Sequence, residues 1–285
     1  MDSKEINRYY SIAGRIVCVC GREGELFEDP GILAPFQTAA QPTEYRLRCE
    51  IVDRLPEPEG EQLFSSSERR VYRTGGAYVS YIGSENNPYI RVERQGRERS
   101  ARFLRAAVRN RIGAKSLLTA MEAESMIAGA GGLLLHASCI EHNGEAILFT
   151  APSGTGKSTQ AELWREHRDA DVINGDRIMV KISETGAEAV GIPFSGSSGI
   201  CKNRTLPLGA VVYLSQAPEN RITPLGGVKA FRKIWEGCSV HTWNREDMAK
   251  AMDTVQKLIA AVPVYHLACT PDESAVTALE AVLGK

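Results

Sequence analysis

"LFTAPSGTGKSTQAELW", residues 148–164, is an apolar run that enters a glycine-bearing loop and leaves it as a run of helix formers. Set against the phosphate-loop pattern G-x-x-x-x-G-K-[ST], the loop reads A-P-S-G-T-G-K-S, with Ala151 in place of the first glycine. The chemistry survives that exchange. Gly154 and Gly156 permit the backbone angles that turn successive N–H groups inward, and the following helix adds its positive end at the same place. Lys157 can reach the outer phosphates of a nucleotide, and the Ser158 hydroxyl is a candidate magnesium ligand. The expected nucleotide-holding set is Ser153, Gly154, Thr155, Gly156, Lys157, Ser158 and Thr159. At ordinary glycine frequency, G-x-G-K-[ST] arises by chance in about one chain in a hundred of this size. The strand "EAILFT" (145–150) before it and the helix "QAELWREH" (160–167) after it are the context a nucleotide site requires.

The rest of the chain narrows the class of nucleotide protein. A motor or transporter ATPase offers a strand ending in Asp-Glu, whereas "DVINGDR" (171–177) ends in Asp176 followed by Arg177. The loop "SGSSG" (195–199) lacks the glutamine-rich continuation of an ABC signature, and no N-K-x-D guanine reader is present. Hydrolysis as the main activity is therefore disfavoured. Phosphoryl transfer asks a protein for alignment and charge stabilisation, and a serine acceptor asks for a carboxylate to take its proton. Asp176 fits either as that base or as a magnesium ligand. His136, in "LLLHAS" (133–138), reads from its neighbours alone as a hydrogen-bonded core histidine. Arg177 reads equally as a site residue and as an exposed strand residue. Lys202 and Arg204 follow the serine-glycine loop; loops of that composition close over substrates, and a cation there could neutralise charge on a moving phosphoryl group. Solvated charge is the competing reading.

At 285 residues, 43% hydrophobic and 24% charged, with formal charge −1, the chain reads as an ordinary globular protein rather than a nucleic-acid binder. The start, "MDSKEINRYY", has no apolar signal region, and no apolar run is long enough to span a bilayer. Seven scattered cysteines, with one close pair at Cys18 and Cys20, suggest reduced thiols and a cytoplasmic setting. Residues 1–97 read as short strands, including "YRLRCEIV" (45–52) and "AYVSYIG" (77–83), and are expected to form a smaller β-rich domain that recognises substrate. From 98 the pattern turns helical, over 102–130 with Gly113 as a break, and 98–285 is expected to be the nucleotide domain. "NG" at 143–144 predicts a hairpin between 132–142 and 145–150. A basic run from Arg91 to Lys115 reads as the solvated face of a helix, or else as a docking surface for an acidic peptide or protein.

The stretches "LLLHASCIEHNGEAILFTAPSGTGKST" and "VINGDRIMV" resemble the C-terminal domain of HPr kinase/phosphorylase, over about residues 130–215. That family shares its nucleotide fold with ATP-dependent phosphoenolpyruvate carboxykinase. The later "PFSGSSGICKNRTLPLGAVVYL" (193–214) resembles a stretch of HPr-kinase-like proteins found beside peptide-modification genes, including the lasso-peptide kinases. The resemblance implies an α/β P-loop kinase domain, ATP and Mg2+ as cofactors, a His136 close to the transferred phosphate, and an Asp176 that is the base and also touches the metal shell. Thr159 stands where that family has glutamate, and Gly175–Asp176 stands where it has two aspartates, which points away from HPr itself as the acceptor. The expected activity is transfer of a γ-phosphoryl group to a serine of a peptide or small protein, with Asp176, His136, Lys157 and Arg204 at the chemistry and Ser158 and Asp176 on the metal. HPr kinases assemble as hexamers, so a homo-oligomer is among the expectations; a nucleic acid or a membrane is not. Rival readings are a small-molecule kinase of the same fold and a nucleotide-responsive module that holds a peptide without catalysis.

Overall fold

The computed structural model describes residues 4–28 and 30–284, and the chain divides into two compact units, Met1–Ala123 and Glu124–Lys285. In the first unit β1 (Glu5–Ile12), β2 (Arg15–Arg22), β3 (Gln37–Thr38), β4 (Tyr45–Val52), β5 (Glu61–Ser65), β6 (Arg69–Thr74), β7 (Ala77–Ser84), β8 (Asn87–Gln95) and β9 (Glu98–Leu104) form one sheet. Its order is β3-β1-β2-β4-β9-β8-β7-β6-β5, with β4 parallel to both β2 and β9. The pleat explains β4 residue by residue: Tyr45, Leu47, Cys49 and Ile51 are buried, while Arg48 and Glu50 between them are exposed. Cys18 and Cys20 share a buried face of β2, their sulfurs 3.5 Å apart. Burial first, then the neighbouring thiol, pushes Cys18 up to about 11, so it sits there as a small apolar residue.

Two expectations change here. The stretch from 98 was expected to open a helical domain, yet Glu98–Leu104 is β9, in register with β4 on one side and β8 on the other. Local helix formers yield to a strand that buries Ala101 and Phe103. The boundary placed at 97/98 thus falls between two adjacent strands of one sheet. Only short helices follow: α1 (Arg105–Val108), α2 (Ala114–Met121), which Gly113 precedes, and α3 (Ala123–Gly129).

The basic run, likewise, is not one face of a helix. Arg91 and Arg94 lie on β8 and Arg99 and Arg102 on β9, with Arg91 opposite Arg102 and Arg94 opposite Arg99. Like charges so placed repel, and the sheet answers them with acids from elsewhere in the unit. Arg94 Nε lies 3.4 Å from the buried Glu122, Arg102 Nε 3.3 Å from Glu50 and Arg105 Nε 2.6 Å from Asp53. Arg99 stacks over Tyr45, 5.2 Å from the ring centre.

The second unit holds β10 (Gly132–His142), β11 (Glu145–Thr150), α4 (Lys157–Arg168), β12 (Asp171–Asn174), β13 (Arg177–Ser183), β14 (Gly186–Gly191), β15 (Thr205–Gln216), β16 (Arg221–Leu225), α5 (Gly227–Trp235), β17 (Cys238–Ser239), α6 (Arg245–Ala261), β18 (Val264–Cys269) and α7 (Glu273–Leu283). It is a mixed α/β unit. Its pairings close a ring from β11 through β10, β13, β14 and β15 back to β11, and β18 and β16 extend the sheet beyond β15. The long β10 serves two neighbourhoods: residues 132–136 pair with β13, and 137–142 pair with β11. β11, β15 and β18 run parallel to one another.

Alternation along β11 divides the core in two. Ala146 and Leu148 join a cluster with Ile234, Val255 and Leu258 of α5 and α6. Ile147 and Phe149 face the other way, toward Trp164 of α4 and Val276 and Leu279 of α7. Asn143 and Gly144 both have positive φ, 53° and 81°, and join His142 to Glu145 as the two-residue hairpin turn that Asn-Gly favours. The helices α6 and α7 start on side-chain caps: Asn244 Oδ1 accepts from Glu246 N, and Asp272 Oδ1 from Ser274 N. Among the described residues no helix is long and apolar enough to cross a membrane.

Candidate active site

The glycine loop leaves β11 at the carboxyl end of the parallel strands, the end at which open α/β sheets bind ligands. Ala151, at the position of the missing glycine, is buried in the same core cluster as Phe149 and Trp164. Gly154 has φ 78° and Gly156 φ 119°; Gly156 is the residue from which α4 begins. Side chains with a β-carbon avoid these angles, and alternation of this kind is what shapes an anion nest. α4 buries Lys157, Gln160, Ala161 and Trp164, a single helical stripe, so the loop is rooted in the core on both sides.

Lys157 is 7% exposed. Its ammonium donates to the carbonyls of Ala151 at 3.0 Å and Pro152 at 3.3 Å, inside the loop. Burial lowers its pKa, and the charge of Asp176 opposes that shift. Ser138 of β10, fully buried, donates from Oγ to the Lys157 carbonyl at 2.8 Å, tying the strand to the first turn of α4.

Asp176 is set by Asn174. The buried Asn174 carboxamide accepts from the backbone N–H groups of Asp176 and Arg177, both at 2.9 Å, and donates to Ile192 O at 2.8 Å. This turn joins β12 to β13 and leaves the Asp176 carboxylate against β10. There His136 Nε2 lies 3.2 Å from Asp176 Oδ1. The histidine's backbone is held as well, its N–H donating to Gly237 O and its carbonyl accepting from Thr150 Oγ1. The His136 hydrogen bond holds the Asp176 carboxyl below its usual range; burial opposes this, and the charges of Arg177, His136 and Lys157 add to it. Arg177 Nε is 3.7 Å from Asp176 Oδ2, and its guanidinium stacks on Phe194 at 5.6 Å.

Above the acid lies the loop 193–200. A β-carbon on Gly196 would stand 2.8 Å from Asp176 Cβ, and one on Gly175 would strike Ser198. Ser198 Oγ donates to Ser195 O at 2.7 Å, and Gly175 N donates to Ile200 O at 3.2 Å. Two cavities flank the glycine loop. One, ≈ 290 Å³, is bordered by Gly154, Gly156, Gln160 and the strand ends at Gln216 and Thr270. The other, ≈ 540 Å³, runs from Ser158 along α4, with Gly175, Ser198 and Ile200 also lining it.

Of the residues singled out in the sequence, the structure gathers residues 153–159, His136 and Asp176 about this one loop. Arg204 is elsewhere. Its Nη1 lies 2.6 Å from Glu141 and 3.1 Å from Asp171, and Lys202 is also paired with Asp171. Glu141 is five positions beyond His136 on β10, about 16 Å along an extended strand. Neither cation closes over the site; both hold the far end of β12. Asn174, Ser138, Thr150 and Gly196 escaped the sequence reading. Asn174 alone carried a local signal, an Asn two residues before the acid in a strand-ending turn. The other histidines have partners outside the site, as with His266 and Ser215 Oγ at 2.8 Å.

A family model described as "SynChlorMet cassette protein ScmC" matches residues 115–283, more than half of the chain. No curated protein matches it. Among solved structures, the Hpr(Ser) kinase/phosphatase from Coxiella burnetii is similar at 11% identity over 53% of this chain and 88% of that one, with a TM-score of 0.29.

Proposed function

We propose that this chain, which belongs to the ScmC family of SynChlorMet cassette proteins, is an ATP-dependent kinase that phosphorylates a hydroxyl, a serine of a peptide or small protein. The observation that carries this reading is the convergence of two things a phosphotransferase needs. A glycine loop with a buried lysine at the head of a helix supports polyphosphate binding. Beside it, a half-buried carboxylate hydrogen-bonded to His136 and electrostatically coupled to that lysine supports a base for the acceptor.

In this reading Lys157 turns from the loop carbonyls toward the outer phosphates, and the N–H groups of residues 153–159 surround them. Asp176, ionised at neutral pH, orients the acceptor hydroxyl and takes its proton as the new O–P bond forms. His136 fixes the carboxylate's direction. Among the described residues no group of three or more His, Cys, Asp or Glu gathers into a metal centre. Ser158 and Asp176 nonetheless fit magnesium, which takes few protein oxygens and completes its shell with phosphate and water. Bound there, it would neutralise charge on the phosphates. Peptide acceptance is favoured by the resemblance of residues 193–214 to kinases beside peptide-modification genes.

The deciding experiment incubates the purified chain with MgATP and serine-containing peptides and reads phosphate on the peptide by mass spectrometry. Transfer that Asp176→Asn abolishes while nucleotide binding persists is the expected result. Full transfer by that variant would refute the base assignment.

A further inference from the structure

The serine-glycine loop that sits on Asp176 has no part in the reaction just described, yet it packs directly on the acid. Gly196 lies so close to the acid that a single added carbon would stand 3.2 Å from Asp176 Oδ1. Ser197 is the next residue, its Cα about 3.8 Å further along the chain. Ser197 is exposed, and its hydroxyl has no hydrogen bond to any described residue. Its neighbour differs: Ser198 is committed to Ser195 O and accepts from Ile200 N. The cavity that Ser198 and Gly175 border is also lined by Ser158, at the head of α4. The loop that packs on Asp176 through Gly196 thus carries, one residue on, an exposed hydroxyl, and through Ser198 it borders the cavity that Ser158 also lines.

We propose that Ser197 is a self-phosphorylation site, modified in cis by the same centre. The inference rests on the kinase reading above. In the step, Ser197 Oγ attacks the terminal phosphorus of a bound nucleoside triphosphate. The Oγ–P bond forms as the bond from that phosphorus to the bridging oxygen breaks, Asp176 takes the hydroxyl proton, and the nucleoside diphosphate leaves. The product places a phosphate dianion over Asp176 and within the neighbourhood of Arg177. Repulsion between that dianion and the carboxylate then closes the centre to an outside acceptor.

The test needs no knowledge of the natural acceptor. The full chain is incubated with MgATP alone, and the tryptic peptide Ile182–Lys202, which contains Ser195, Ser197 and Ser198, is fragmented to locate any phosphate. The expected result is one phosphate on Ser197, formed at a rate per molecule independent of protein concentration, lost in Ser197→Ala and reduced about 100-fold or more in Asp176→Asn. Phosphate on Ser195 or Ser198 instead, or a rate that rises with concentration, overturns the assignment. So does an unlabelled loop; if ATP is then still bound and a peptide still phosphorylated, the kinase reading survives, and if neither occurs both fall. The mapping is made on the unaltered protein, so it decides even if a variant fails to fold.

Discussion

β10 passes two clusters of charge, a far one at Glu141 beside the start of β12 and a near one at His136 beside the turn that follows β12, and the two behave differently. At the far end Glu141 and Asp171 face Arg204 and Lys202: two acids, two cations, each engaged with the other sign. At the near end Asp176 meets His136 at hydrogen-bond distance, while Arg177 stands 3.7 Å off and Lys157 is turned onto loop carbonyls. The first cluster satisfies itself on a partly exposed surface, where ion pairs add little. The second holds a lysine and an arginine near one carboxylate, Arg177 in a loose ion pair at 3.7 Å and Lys157 on backbone carbonyls. Positive charge left over next to a glycine loop is what an incoming polyphosphate would complete. Similar residue types along β10 thus serve cohesion at one place and, in the kinase reading, reactivity at the other.

Substitutions can break that contrast. Asp176→Asn keeps the shape of the near end and removes the base; transfer should fall by about 10³-fold with nucleotide affinity within a few-fold of the parent, measured by phosphopeptide formation and by titration with a fluorescent nucleotide. Lys157→Ala should weaken nucleotide binding by about 100-fold, because charge-assisted contacts to phosphate are lost. Unchanged affinity would sever the loop from phosphate altogether. His136→Leu should lower transfer by about tenfold and shift its acid limb. The histidine's hydrogen bond depresses the Asp176 pKa, so the carboxylate in the parent stays charged as pH falls past its ordinary value of about 3.9; without it the limb moves to higher pH. A limb that does not move would mean the histidine acts elsewhere. The same shift predicts a small stabilising contribution that is full above about pH 3.9 and is lost as pH falls through the lower folded value. Arg204→Gln belongs to the far end and should leave transfer unchanged, at a stability cost of about 0.5–1 kcal/mol by thermal melting. A large loss of activity there would erase the distinction between the two ends.

Much of this was legible in the residues, and the failures have physical causes. The hairpin at Asn143–Gly144 could be read because its turn chemistry lies in two adjacent residues between the strands. The glycine loop could be read for the same reason. Arg204 misled because its partners, Glu141 and Asp171, are brought to it by strand register, which a run of loop residues does not display. The arginines of β8, β9 and α1 misled in the same way: Glu122, Glu50 and Asp53 reach them only once the unit is assembled. Gly196 gave no hint, since what makes it special is a contact across the chain with Asp176. Chemistry written in neighbours was visible; chemistry written in pairing was not.

One consequence follows from the hairpin. Because pleated side chains alternate, the length of the turn after β10 decides which face His136 and Ser138 occupy relative to β11. An insertion or deletion of a single residue at Asn143–Gly144 would offer the strand a choice: slide and carry both residues to the wrong side, or bulge and keep them. A chain that tolerates such an indel with His136 and Ser138 still in place must therefore absorb it in the loop, so the tip of this hairpin acts as a counting device for the candidate site several residues away.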